Sequence, residues 1–185
     1  MSLARAWRAA AAVLAAAVLG GCATAPDTEP LLRLPPAALG GSLNQQQQIT
    51  VEVEGREPQR MEVLLEADAQ AVRVALLALG RTVARLDWDG RELRQERAAW
   101  WPAQVAGERV LSELQLALWP VPALRAALPP GWTLQEEAPG LRRLCRSGEP
   151  VIEVRRQDAH RLALVHLRAG YRLLIESQDL QEATP

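Results

Sequence analysis

The sequence predicts a mainly β (α+β) protein, one long antiparallel sheet interrupted once by helix. Three observations predict it. Apolar residues recur with a period of two along most of the 185-residue chain. The breaks between these runs are hairpin-short and hold Gly, Asp or Pro. One central stretch changes to a helical period.

Taken in order, Ile49, Val51 and Val53 face one way and Thr50, Glu52 and Glu54 the other. Met61, Val63, Leu65 and Ala67 repeat that alternation against Glu62 and Glu66, and the turn at 55–58 makes the two runs a hairpin. Residues 72–79 are apolar on both faces, as in a strand covered on both sides. Ala84, Leu86 and Trp88 share a face in the next run, which Asp89-Gly90 turns back through 91–97. That return run has little apolar content beyond Leu93, which places it at an edge. Pro102 suits the first turn of a helix. Ala106, Val110, Leu114 and Leu118, with Leu111 beside them, form its apolar face. Arg109 and Glu113 are placed to pair one turn apart on the exposed side. Pro120 ends this helix, and a second short one is expected over 122–128 before Pro129-Pro130-Gly131. Strands resume at 132–136, 141–146, 151–156, 160–167 and 171–177, with Gly140, Gly148 and Gly170 at turns. The pattern is about five strands, a helical insertion and about five more, every connection too short for a parallel crossover. A sheet of about ten strands with two helices must curl to bury its apolar side. The expected architecture is a curved half-barrel with the helices across its concave face, and the functional possibility is an apolar groove they leave uncovered.

The N-terminus follows a different grammar. Arg5 and Arg8 precede an apolar run at 9–19, too short to span a bilayer, and then Leu19-Gly20-Gly21-Cys22. A cysteine at the cut site after Leu-Gly-Gly resembles the lipobox of bacterial lipoproteins. That resemblance implies cleavage before Cys22 and about three acyl chains (palmitate or similar) on it, a lasting anchor where one chain gives only reversible binding. In lipoproteins as a class, Ala23 after that cysteine favours the outer membrane, here its periplasmic face. The expected organisation is a signal peptide at 1–21, a lipidated Cys22 and Pro/Gly-rich tether at 22–44, a half-barrel domain at 45–180 and a tail at 181–185. The run Gln45 to Gln48 reads as a solvated strand entry or a recognition element.

The net charge is −1, every basic residue is Arg, and acidic residues alternate with them, so nucleic acid is excluded as a partner. With Cys22 acylated, Cys145 has no partner in the chain, so folding rests on apolar burial rather than disulfides.

Several segments carry a resemblance: Leu34-Pro35-Pro36, Leu86-Asp87-Trp88-Asp89-Gly90, Glu108-Arg109-Val110-Leu111, Leu114-Gln115-Leu116-Ala117, Trp119-Pro120, Gly131-Trp132 and Tyr171-Arg172-Leu173-Leu174-Ile175-Glu176-Ser177. In order and spacing they resemble a family of bacterial lipoproteins of undefined function, often encoded among genes for aryl polyene synthesis. That family is in turn similar to the lipoprotein carrier LolA and its receptor LolB, open half-barrels whose apolar cavity holds acyl chains. The resemblance implies a hydrophobic lipid ligand and supplies no catalytic motif.

Candidate lipid contacts are therefore Leu86, Trp88, Val110, Leu114, Trp119, Trp132, Leu173 and Ile175. The indoles suit a cavity wall, with the ring on acyl chains and the N–H toward the wet mouth, and equally suit ordinary core. Trp100-Trp101 reads as a loop contacting a membrane interface or an envelope protein partner, or as packing under the helix. Asp87 and Asp89 offer paired carboxylates, but Asp89 belongs to a Gly turn. Asp158, His160, His166 and Ser177 are the raw materials of a hydrolytic triad without a nucleophile-elbow context. Two histidines without Cys or an acidic ligand pattern make a poor metal site, and neither a cofactor nor a catalytic role is expected. Cys145 reads as a packed thiol. Arg142, Arg143, Arg146, Arg155 and Arg156 suit a solvated surface or a rim that meets anionic head groups. The leading function is an anchored lipoprotein that binds an acyl or aryl polyene lipid and assists its insertion in the outer membrane. The alternative is a tethering module with a filled core, holding an envelope synthesis or export complex.

Overall fold

Alternation of side chains along ten strands gives one sheet with a greasy face and a charged one. The computed structural model describes residues 29–101 and 105–180. Cys22 and the leader, Pro102 and the tail from 181 lie outside them. The strands are β1 (Leu43–Val53), β2 (Gln59–Ala67), β3 (Val72–Ala78), β4 (Arg81–Trp88), β5 (Leu93–Arg97), β6 (Trp132–Ala138), β7 (Leu141–Arg146), β8 (Glu149–Arg156), β9 (Arg161–His166) and β10 (Tyr171–Asp179). Two helices, α1 (Gly107–Leu118) and α2 (Val121–Ala127), lie between β5 and β6 in the chain.

The order across the sheet is β5-β4-β3-β2-β1-β10-β9-β8-β7-β6, antiparallel throughout. Each half is a five-strand meander, and the halves meet where β1 pairs β10, from Gln45↔Asp179 to Val53↔Tyr171. β5 and β6 end the sheet without pairing, so it stays open, and the insertion that joins them carries both helices. The ten strands, the helical insertion and the edge position of the Asp89-Gly90 return strand agree with the sequence reading.

Four details differ. The Gln run lies inside β1, which begins at Leu43. The two-faced apolar run of β3 includes a register shift at Leu76/Leu77, which breaks the simple in–out alternation. Among the described residues α1 begins at Gly107, not near Pro102. A Cβ at Gly107 would lie 2.6 Å from Gln95 Oε1 and from Leu86 Cδ2, so a larger residue there would have to displace those two side-chain ends for α1 to start directly on β4 and β5. Last, the expected tether is packed into the fold from Pro30 onward. Leu32, Leu34 and Pro36 are buried while Leu31, Arg33 and Pro35 are exposed, a strap with a period of two that ends in a 3-10 turn at Pro36–Leu39. Prolines keep the strap extended and deny it a place in the sheet, and side chains satisfy its backbone instead.

Candidate functional site

The strap seals one side of the sheet's inner face. Gln115, fully buried on α1, accepts from Leu34 N–H at 2.9 Å and donates to Leu34 C=O at 2.9 Å. Trp88 Nε1 donates to the same carbonyl at 2.8 Å, Ser112 Oγ accepts from Leu32 N–H at 2.9 Å, and Trp119 Nε1 reaches Pro35 C=O at 3.4 Å. Four of the eight candidate lipid contacts therefore sit in a closed core: Leu86, Trp88, Trp119 and Trp132 are all buried. The indole N–H groups of Trp88 and Trp119 face the strap instead of a wet mouth. Trp132 packs under the Arg146 guanidinium, 5.4 Å from its ring centre.

The other four, Val110, Leu114, Leu173 and Ile175, are only partly buried. They belong to a seam down the middle of the inner face. On β1 and β10 the inward residues Ile49, Val51, Val53, Leu173 and Ile175 are half-exposed, as is Met61 opposite Ile49 on β2. The flanking strands carry Val63, Leu65, Val74 and Leu76 on one side and Leu162, Leu164, Val154 and Ile152 on the other, all buried. The least covered part of the greasy face is thus its centre, where the two meanders join.

A polar cluster fixes α1 above one end of that seam. Glu29 Oε2 lies 2.6 Å from His166 Nε2 and 3.2 Å from Arg109 NH1, and Tyr171 donates its hydroxyl to Glu113. His166 Nδ1 accepts Ala169 N–H at 3.1 Å, which leaves the Nε2 proton to donate to Glu29. The His166 and Tyr171 rings are 5.0 Å apart. Burial pushes the Glu29 carboxyl up, but the hydrogen bond from His166 and the Arg109 guanidinium prevail and hold it below the usual range. Burial raises the Glu113 carboxyl against the hydrogen bond from Tyr171. Burial, then the Glu113 charge, raises the Tyr171 hydroxyl. Arg109 and Glu113 therefore face inward, where the sequence had them paired on the solvent side, because β9 and β10 and the strap offer each a buried partner. Val110, Leu114 and Leu118 form the adjoining stripe of α1, half-buried beside this anchored one.

At the far end of α1, Arg142 donates to the carbonyls of Leu116 (3.1 Å), Ala117 (3.2 Å) and Trp119 (2.9 Å), and Arg156 reaches Ala117 at 3.4 Å. These two arginines cap a helix C-terminus. Arg143 pairs with Glu137 and Glu153.

Asp158, His160 and Ser177 do line one cleft, with Gln46 to Gln48, Glu62, Glu176 and Gln178, of about 680 Å³. Asp158 Oδ1 accepts the backbone N–H of His160 and Arg161, each at 2.8 Å, and its other oxygen takes Arg161 Nε at 2.7 Å. Among the described residues no hydrogen bond joins the His160 ring to Asp158 or Ser177, and no three metal-ligating side chains come together. Asp89 accepts the backbone N–H groups of Arg91 and Glu92, as a turn aspartate does. Trp100 is exposed, whereas Trp101 is half-buried and donates to Val105 C=O at 3.1 Å. Cys145 is buried, and burial raises its thiol.

The sequence reading missed the strap and the Glu29–Arg109–His166 cluster. Two signals were present: the alternation Leu32, Leu34, Pro36, and the polar pair Ser112 and Gln115 one turn apart between apolar Leu111 and Leu116.

The model of a family described as protein of unknown function (DUF3261) matches residues 44–179, and the chain belongs to that family. No curated protein matches the sequence. Among solved structures the chain is similar to a LolA superfamily protein from Nitrosomonas europaea, at 11% identity and a TM-score of 0.46, covering 82% of this chain and 93% of that one.

Proposed function

We propose that this member of the DUF3261 family is a lipoprotein of the outer membrane, anchored through Cys22, that holds the hydrocarbon part of an acyl or aryl polyene lipid along the β1–β10 seam and assists its insertion. One observation carries the reading: an apolar strip of Ile49, Val51, Met61, Leu173 and Ile175 is left half-exposed between flanks that are sealed. Desolvation is the mechanism. Each methylene taken from water contributes about 0.8 kcal/mol. From Ile49 to Val53 the strip runs ~14 Å along the strand. Roughly ten methylenes would offer ~8 kcal/mol before the costs of association, so the expected affinity is about micromolar or weaker. That suits a site that must release its cargo. The protein needs no catalytic group for this, because escorting a chain through water changes no covalent bond.

A specific observation favours a second reading. The strap fills the side of the inner face that holds Trp88 and Trp119, leaving a tethering module whose core is closed by its own chain. Native mass spectrometry of the full chain from a producing strain, with titration by a fluorescent fatty acid, separates the two. Bound lipid and saturable uptake support the seam. Reproducible absence of both leaves the tethering module.

A further inference from the structure

The two ends of the sheet are built differently, and we propose that one of them is a membrane-docking face for anionic lipid. The end holding the β2–β3, β4–β5, β6–β7 and β8–β9 turns carries Leu180, 40% exposed after β10, but three of its four turns share one construction. Asp68, Asp89 and Asp158 each accept two backbone N–H groups of their own turn, which holds all three carboxyls below the usual range.

The opposite end carries apolar tips. Leu79, in the β3–β4 turn, is 102% exposed, Trp100 after β5 is 67% exposed and Leu167 in the β9–β10 turn is 46% exposed. Three of the six large hydrophobics exposed among the described residues thus crown one end. Leu79 is also held at φ 52°, the left-handed region that disfavours a side-chain-bearing residue, ahead of Gly80 at 71°. Neither backbone nor hydration favours leucine there, so the fold does not explain it. A bilayer interface does: leucine gains an apolar phase, and tryptophan prefers the headgroup level.

Charge points the same way. Arg81 and Arg97 flank Leu79 and Trp100 and have no ion pair among the described residues; the acids at this end include Glu54 and Glu57 of the β1–β2 turn, Glu149 at the start of β8 and Glu29, which pairs with Arg109. Arginines beside apolar tips suit anionic headgroups. The chain also enters the fold here, since Glu29 is held by His166, the last residue of β9. If Cys22 is the anchor, the seven residue steps from it to Glu29 can span at most ~25 Å, and this end faces the bilayer. Only that consideration rests on the lipidation reading.

The test uses the full chain reconstituted in vesicles containing phosphatidylglycerol. The N-terminus keeps it there whether held by acyl chains or by an uncleaved leader. Single variants Leu79→Cys, Leu167→Cys, Ala69→Cys and Ala159→Cys carry a fluorophore, with the identically treated parent chain subtracted. A lipid-borne quencher is expected to quench positions 79 and 167 severalfold more than 69 and 159, and Arg81→Gln with Arg97→Gln to erase the advantage of anionic over zwitterionic vesicles. Equal quenching at both ends overturns the proposal. So does shielding of 79 and 167 from an aqueous quencher without lipid quenching, which assigns this end to a protein partner or a second copy. Fatty-acid uptake measured alongside fails only if the seam reading fails.

Discussion

The strap side and the β1–β10 seam draw on the same residue types and reach opposite outcomes. Around Trp88 and Trp119, Leu32, Leu34, Leu86 and Leu116 are buried, and the strap's backbone groups are taken up by Gln115, Ser112 and the two indoles. Along the seam, Ile49, Val51, Leu173 and Ile175 belong to an unbroken pairing that runs from Gln45↔Asp179 to Val53↔Tyr171, yet each keeps part of its surface in contact with water. The difference lies in what covers them. From Leu32 to Pro36 the strap lies on the β4 side, and only Glu29 at its start reaches β9, where polar contacts among Arg109, His166, Glu113 and Tyr171 hold α1 toward β9 and β10. Stability is concentrated where the chain covers itself, and the surface open to another molecule lies where it does not.

Substitutions on the two sides should therefore separate stability from binding. Trp119→Ala is expected to be the most damaging, at about 3–5 kcal/mol, because it opens a cavity in a closed core and frees the strap. Leu34→Ala should follow at about 2–4 kcal/mol. Chemical denaturation reads both, and an equal loss from seam substitutions would dissolve the comparison. Gln115→Leu leaves the buried N–H and one acceptor site of Leu34 unpaired and should cost about 1–3 kcal/mol. Loss of hydrogen-exchange protection at the Leu34 amide would locate that effect.

Leu173→Ser with Ile175→Ser should have the inverse profile. Together these partly buried positions are expected to lose about 2 kcal/mol of stability, less than Trp119→Ala alone, while fatty-acid affinity falls at least about tenfold. Isothermal titration together with a denaturation curve checks both halves.

The smallest expected effect is electrostatic. Glu29 titrates below its unfolded value, so its contribution is present at neutral pH and is lost as pH falls through its folded pKa. Glu113 has the opposite sign. Its folded pKa is raised, so the stability linked to its protonated form is full below the unfolded value and is lost as pH rises through the folded one. Glu113→Gln keeps an acceptor for Tyr171 and should flatten the thermal midpoint across that window, raising it by a few degrees at neutral pH. An unchanged pH profile would mean that Glu113 is not buried as the Tyr171 contact requires.

The architecture was legible because period-two alternation and short Gly turns are local signals, and the helical insertion announced itself by a change of period. The strap was not. Pro30, Pro35 and Pro36 carry the signature of a linker, and long-range contacts such as the pairing of Leu34 with Gln115, 81 positions away, make that segment part of the core. The candidate site was half legible. The alternation put Leu86, Trp88, Leu173 and Ile175 on the inward face, but burial on that face depends on what lies above it, which one strand's pattern does not encode. Arg109 and Glu113 misled for the same reason, since an i, i+4 ion pair and two separate long-range contacts look identical in sequence.

A photoactivatable fatty acid tests the central claim most directly. It would be bound to the full chain in detergent, crosslinked and mapped by peptide. Labels concentrated on β1, β10 and the Val110–Leu114 stripe, displaced by excess unlabelled fatty acid, are the predicted result. Labels absent, undisplaced or scattered over the outer face would contradict a binding seam.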